Sequence, residues 1–168
     1  MIKLVCFDFD GVFTDGSFLV TSGGEVFKSF NAKDNHGLKL LKEQNIKVGI
    51  ISANNSSWFN QLIKLPNFNE LDFFEKGSKN KLITFGIWQS KLGISPSETA
   101  YMGDDVVDLE CLSSAALSGC PKDAVSEVKK MCQFISTKKG GKGAVREFID
   151  FILEENKKKK PFKKPMNN

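Results

Sequence analysis

Seven polar residues could do chemistry by type and spacing: Asp8, Asp10, Ser52, Lys81, Asp104, Asp105 and Asp108. Asp8 and Asp10 close an apolar run, Ser52 closes a second, and Asp104, Asp105 and Asp108 follow a third. Lys81 opens a helical segment between the last two. On an extended chain, residues two apart point to the same side, so Asp8 and Asp10 share a face. Carboxylates that close repel each other, and burial disfavours their ionised forms unless a cation lies between them. Hard oxygen donors gathered in this way, with Asp104 as a third, suit Mg²⁺, which takes carboxylates, waters and substrate phosphate oxygens. A pair of acids also divides labour. One can attack phosphorus as a nucleophile while the other gives and later takes a proton. Ser52 and Lys81 then bring a donor and a positive charge to the phosphoryl oxygens, where transition-state charge develops.

A single Asp after a strand is as often a turn or cap residue. Four of them (Asp8, Asp10, Asp104 and Asp108), all falling where strands end, point instead to one shared edge. In open α/β sheets, sites form beyond the carboxyl ends of the strands.

The elements that must position these residues are legible in the apolar pattern. Residues 2–9 and 46–52 read as strands buried on both faces, and 99–102 as a third. Shorter strands are expected at 71–74, 115–118 and 133–136. Segments 17–21 and 25–30, parted by Ser22-Gly23-Gly24, predict a hairpin. Helices are expected from Asp34 to about Asn45, then over 57–64, 79–92 (ended by Gly93), 106–112, 124–131 and 143–155. Strands alternating with helices predict an α/β fold with a parallel sheet covered on both faces. No repeat or linker divides the chain, so 1–155 reads as one domain, followed by a Lys-rich flexible tail over 156–168.

The charge locates itself. The 168 residues hold 24 Lys+Arg and 20 Asp+Glu, a net +4. Residues 154–168 carry six Lys against two Glu, and the other 153 residues carry 18 of each sign. A neutral body with a charged end speaks against nucleic-acid binding and for a solvated terminus. No apolar run is long enough to span a membrane and no leader opens the chain, so a cytoplasmic protein is expected. His36 is the only histidine and Arg146 the only arginine, which excludes a His-rich zinc site and an arginine clamp within one chain. Cys6, Cys111, Cys120 and Cys132 form no Cys-x-x-Cys pair, and Cys6 and Cys132 read as buried free thiols. His36 reads as an exposed residue at a helix start, Arg146 as part of a structural or interface ion pair, and Trp58 and Trp88 as packing residues.

Asp8-Phe9-Asp10-Gly11-Val12-Phe13-Thr14-Asp15-Gly16, Ser52, Lys81 and Gly103-Asp104-Asp105-Val106-Val107-Asp108 resemble, in order, the four motifs of the haloacid dehalogenase superfamily of phosphotransferases. Phe30-Asn31-Ala32-Lys33-Asp34 with Gly37, Asn80-Lys81-Leu82, and Gly140-Gly141-Lys142-Gly143-Ala144-Val145-Arg146-Glu147 narrow the resemblance. They are similar to the 3-deoxy-manno-octulosonate 8-phosphate phosphatases. Nonulosonate 9-phosphate phosphatases and the C-terminal domains of some acylneuraminate cytidylyltransferases are relatives of that branch.

The resemblance implies a Rossmann-like three-layer sandwich in which the hairpin at about 17–30 stands in place of a cap domain. It implies a Mg²⁺-dependent phosphatase acting on a phosphorylated 2-keto-3-deoxy sugar acid through an aspartyl-phosphate. Asp8 would be the nucleophile and Asp10 the general acid/base. Ser52 and Lys81 would hold phosphate, and Lys81 would also neutralise Asp8. Asp8, Asp10 (through its backbone carbonyl) and Asp104 would hold the metal, with Asp105 and Asp108 in support. It further implies a homotetramer in which a neighbour's hairpin helps close the site. One stretch departs from the branch: Ser52-Ala53-Asn54-Asn55 lacks the charged residue that many relatives carry after the hydroxyl. A non-catalytic oligomerising module that partners a cytidylyltransferase is the alternative, and intact Asp8 and Asp10 count against it. A receiver domain would not need Asp-x-Asp and Gly-Asp-Asp on separate strands in this order.

Overall fold

The first apolar run forms β1, Leu4–Phe7, and its side chains alternate between two cores. Leu4 and Cys6 enter one while Val5 and Phe7 enter the other, as a strand covered on both faces requires. The computed structural model describes residues 1–158. After β1 come the hairpin strands β2 (Leu19–Val20) and β3 (Val26–Phe27), then α1 (Ala32–Glu43), β4 (Lys47–Ser52) and α2 (Phe59–Leu62). These are followed by β5 (Phe73–Lys76), α3 (Lys81–Leu92), β6 (Thr99–Met102), α4 (Leu109–Ser114) and β7 (Leu117–Cys120). The last elements are α5 (Ser126–Met131), β8 (Phe134–Ile135) and α6 (Ala144–Lys157).

The main sheet has six strands in the order β5-β4-β1-β6-β7-β8, and every pairing in it is parallel. Leu38 and Leu41 of α1 and Val145, Phe148, Ile149 and Ile152 of α6 build the core on one face. Phe85 and Trp88 of α3, Cys111 and Leu112 of α4 and Val128 of α5 build the other. This is the expected three-layer α/β sandwich. The hairpin forms its own two-stranded antiparallel sheet, with Phe18, Leu19, Val20, Val26 and Phe27 exposed.

Several boundaries moved, mostly through contacts with other elements. The helix expected over 57–64 is only the single turn α2, and β5 begins at Phe73 rather than 71. Asp72 joins β4 partly through its side chain: its N–H donates to Val48 O at 3.0 Å while its carboxylate accepts from Val48 N and Lys47, and strand register begins at the Gly49–Phe73 pair. β7 begins at Leu117 because register with β6 starts at the Ala100–Leu117 pair. Cys6 is fully buried, whereas Cys132 is only half-buried. α6 runs past the boundary expected at 155. Asn156 clamps Ile2, accepting from its N–H at 2.8 Å and donating to its carbonyl at 2.9 Å. The rest of the Lys-rich tail, residues 159–168, lies outside the described residues.

The helix ends rest on side chains the sequence supplies. Asn31 and Asn80 cap α1 and α3, and Gly93 ends α3 in the left-handed conformation at φ 64°. Buried Asp34, on α1, caps α6 from a distance, accepting from Gly143 N at 3.0 Å and Arg146 N at 2.8 Å. Burial raises the Asp34 pKa against the pull of those two bonds. Replacing Asp34 with Ala would leave two helix-start N–H groups without their acceptor. We expect a loss of about 1–3 kcal/mol in denaturant unfolding, read as a lower midpoint at unchanged slope.

Candidate active site

β1 lies between β4 and β6, where the chain order of the sheet reverses direction, the place where an open sheet leaves a crevice. Asp8 and Asp10 leave β1 there, Ser52 ends β4, Gly103 and Asp104 leave β6, and Lys81 is the first residue of α3. Two close approaches depend on glycine. Gly11 sits at φ 82°, and a Cβ on it would lie 2.0 Å from an Asp104 carboxylate oxygen. A Cβ on Gly140 would lie 1.9 Å from the Gly11 carbonyl oxygen. The Gly140-Gly141 loop packs on the first motif in this way, with Gly141 N donating to Val12 O at 2.9 Å.

Lys81 Nζ stands 3.0 Å from Asp8 Oδ1 and 2.8 Å from Asp108 Oδ1, and all three side chains are buried. Burial presses the Lys81 pKa down, but Asp8 and Asp108 hold it above its ordinary value. Asp8 is pushed up to about 8, first by burial and then by the charge of Asp108, with Lys81 pulling the other way. Burial, with Asp108 and Asp105 behind it, pushes Asp104 up to about 7. Asp108 is the anchor. One of its oxygens takes Lys81 and the Tyr101 hydroxyl (3.0 Å), and the other takes the Asp104 and Asp105 N–H groups.

Asp8, Asp104 and Asp108 each place a carboxylate oxygen within 4.8 Å of the others. Three clustered acids, two of them paired with Lys81 and two (Asp8 and Asp104) with strongly raised pKa values, form a donor set that fits a hard divalent cation. Asp10 is not part of this carboxylate cluster. Its side chain instead accepts from Lys28 Nζ, from Asn54 Nδ2 at 3.1 Å and from Thr14 Oγ1 at 3.4 Å. Its backbone carbonyl is the group the resemblance assigns to the metal. Ser52 is buried, its hydroxyl accepting from Asn54 N at 3.1 Å. The Asp105 carboxylate is spent on capping the turn Val106–Asp108; its N–H donates to the Asp108 carboxylate and its carbonyl accepts from Asp108 N at 2.9 Å.

A family model for haloacid dehalogenase-like hydrolases matches residues 67–149. The chain is 33% identical over 152 residues to the 3-deoxy-D-manno-octulosonate 8-phosphate phosphatase of Salmonella typhi, covering 90% of this chain and 79% of that one. The chain belongs to the haloacid dehalogenase-like hydrolases. Within them it is a phosphatase of the octulosonate phosphatase-like branch. The crystal structure of the enzyme from Yersinia pestis superposes with a TM-score of 0.87 at 30% identity, covering 94% of this chain and 83% of that one. The Moraxella catarrhalis enzyme, solved in complex with magnesium ion, phosphate ion and a KDO molecule, gives a TM-score of 0.84 at 33% identity. That match covers 91% of this chain and 86% of the other.

Sequence reasoning missed three groups in the phosphatase site. Lys28 reaches Asp10 from the hairpin across 18 residues, which no local spacing could show. Asn54 sits where a charged residue was sought, and it reads as an ordinary loop residue. Tyr101 carried the one usable signal, being the only tyrosine and lying in an apolar strand just before the Gly-Asp-Asp motif. His36 is exposed on α1, and Arg146 pairs with Asp150 at 2.9 Å.

The raised carboxyls make the metal-free phosphatase pH-sensitive. Folded Asp8 and Asp104 hold protons up to about 8 and about 7, against an ordinary aspartate value of about 3.9. The folded state therefore binds more protons than the unfolded chain between those limits, and its stability falls as pH rises through them. In chelator, Tm should drop between about pH 4 and about pH 8. Asp8→Asn should flatten the profile, and added Mg²⁺ should restore Tm at the alkaline end.

Proposed function

We propose that this phosphatase is a Mg²⁺-dependent phosphomonoesterase. Its substrate is a phosphorylated 2-keto-3-deoxy sugar acid of the octulosonate 8-phosphate or nonulosonate 9-phosphate type, cleaved through an aspartyl-phosphate. The buried Asp8–Lys81–Asp108 ion-pair chain, with Asp104 beside it and Asp10 two residues from Asp8, carries this reading. The likeness to octulosonate phosphatases over most of the chain supports the substrate class.

Asp8 attacks phosphorus and must be ionised to do so. Lys81, in contact with it, pulls towards that form against the burial and the Asp108 charge that raise its pKa to about 8, and a bound Mg²⁺ would pull the same way. Asp10 gives its proton to the leaving oxygen, then takes one from the water that hydrolyses the aspartyl-phosphate. Ser52 and Lys81 bind the phosphoryl oxygens as charge builds on them. Asp8, Asp104 and the Asp10 carbonyl would hold Mg²⁺, which when bound offsets charge on the carboxylates and the phosphoryl group. Asp108 positions Lys81. The non-catalytic alternative does not call for Asp8 and Asp10 both to be kept, and both are present.

The exposed apolar side chains of the hairpin fit a homotetramer in which hairpins pack together, and a site with so small a cap gains its missing wall from a neighbour. Among the described residues no helix is long and apolar enough to cross a membrane. A cytoplasmic setting without nucleic acid agrees with the neutral body.

Octulosonate 8-phosphate should be hydrolysed only with Mg²⁺ present, and Asp8→Asn should lower kcat by at least about 10³-fold. Metal-independent turnover, or an Asp8→Asn enzyme as active as wild type, would sink the reading. In light scattering after gel filtration, Leu19→Asp with Phe27→Asp should shift the mass from four chains towards one.

A further inference from the structure

Lys28 occupies an unusual position for a surface hairpin. Its side chain is 5% exposed and its ammonium contacts Asp10 Oδ1. The same nitrogen lies 4.1 Å from the centroid of the Phe18 ring and 4.9 Å from that of Trp58. An ammonium so enclosed gives up most of its hydration and depends on its anionic partner. Asn54 donates to the other Asp10 oxygen. Asp10 thus has a donor on each oxygen and acts only as an acceptor. Proton transfer to a leaving group needs one of those oxygens free to carry a proton aimed at the ester. Lys28 must therefore leave Asp10, and a buried ammonium leaves one carboxylate readily only for another anion.

Lys28 also lines a cavity of about 250 Å³ with Phe9, Phe30, Trp58 and Leu62. The Trp58 indole N–H is, among the described residues, the one buried side-chain donor without a partner. A buried orphan donor beside a walled-in cation is the equipment for holding a ligand oxygen. Residues 52–63 contain no charged side chain. Among the described residues the ammonium groups paired with the site's acids are Lys81 and Lys28, and Lys81 is committed to Asp8 and Asp108.

We propose that Lys28 is the specificity-determining cation of this site. It holds Asp10 while the site is empty and transfers its ion pair to the carboxylate of the sugar acid, which removes the charged donor from Asp10 Oδ1 and leaves that oxygen only the long Thr14 hydroxyl contact at 3.4 Å. An ester without a carboxylate leaves Lys28 on Asp10 and is cut poorly. This rests on the phosphatase reading above and names how that site would read its substrate.

The test compares kcat/KM for octulosonate 8-phosphate with that for glucose 6-phosphate, which has no carboxylate. Wild type should prefer the acid. Lys28→Met should lower that ratio at least about tenfold, chiefly through KM for the acid, and Lys28→Arg should recover most of it. Circular dichroism and particle mass would confirm that each variant folds and assembles. Should Lys28→Met not fold, Lys28→Gln and the weakened inhibition of the variant by free octulosonate give the same readout. A folded Lys28 variant with the wild-type ratio overturns the assignment while leaving the substrate reading intact. A wild-type enzyme with no preference for the acid overturns both, and shows itself before any variant is made.

Discussion

A single buried ammonium between two buried carboxylates ties this site to its fold. Lys81 opens α3, Asp8 leaves β1 and Asp108 follows β6, so the Asp8–Lys81–Asp108 chain joins three segments that meet only in the finished sheet. Breaking such a pair strands a buried charge at a cost of about 3–5 kcal/mol. A domain's whole stability is about 5–15 kcal/mol, so the chain cannot hold these groups loosely. Asp108 takes the Tyr101 hydroxyl and two backbone N–H groups in addition to Lys81, which fixes the ammonium in place before any ligand arrives.

The same constraint explains the glycines. Loops carrying acids can converge on one cation only if their backbones come within contact distance of the neighbouring side chains. Gly11 lies against the Asp104 carboxylate and Gly140 against the Gly11 carbonyl, at separations no Cβ could share. Asp34 extends the scaffold outward. By capping α6 from α1 it holds the segment that carries the Gly140-Gly141 loop.

The hairpin works differently. The apolar residues of its two strands face outward, and yet Lys28 at its base reaches in to Asp10. Asp8, Ser52 and Asp104 thus stand on the sheet edge, while Lys28 comes from the hairpin.

How much of this was legible beforehand follows from the range of each interaction. Strand order in the chain, the α/β alternation and the acids at strand ends were readable because hydrophobic periodicity is local and the motif residues lie within a few positions of one another. The helix end at Gly93 was local too, whereas the starts expected at Asp34 and 79 gave way to caps at Asn31 and Asn80. The boundaries near Asp72 and Leu117 were not local, since a side-chain bond to another strand and the register with β6 decided them. By itself the sequence determined which residue types stand at the sheet's carboxyl edge, and so the class of chemistry. Only the tertiary structure decided which of them meet. It put Asp108 rather than the Asp10 carboxylate with Asp8 and Asp104, and it brought Lys28 and Asn54 to Asp10. Those contacts join residues far apart in the chain, and their energies arise only when folding excludes water from between them.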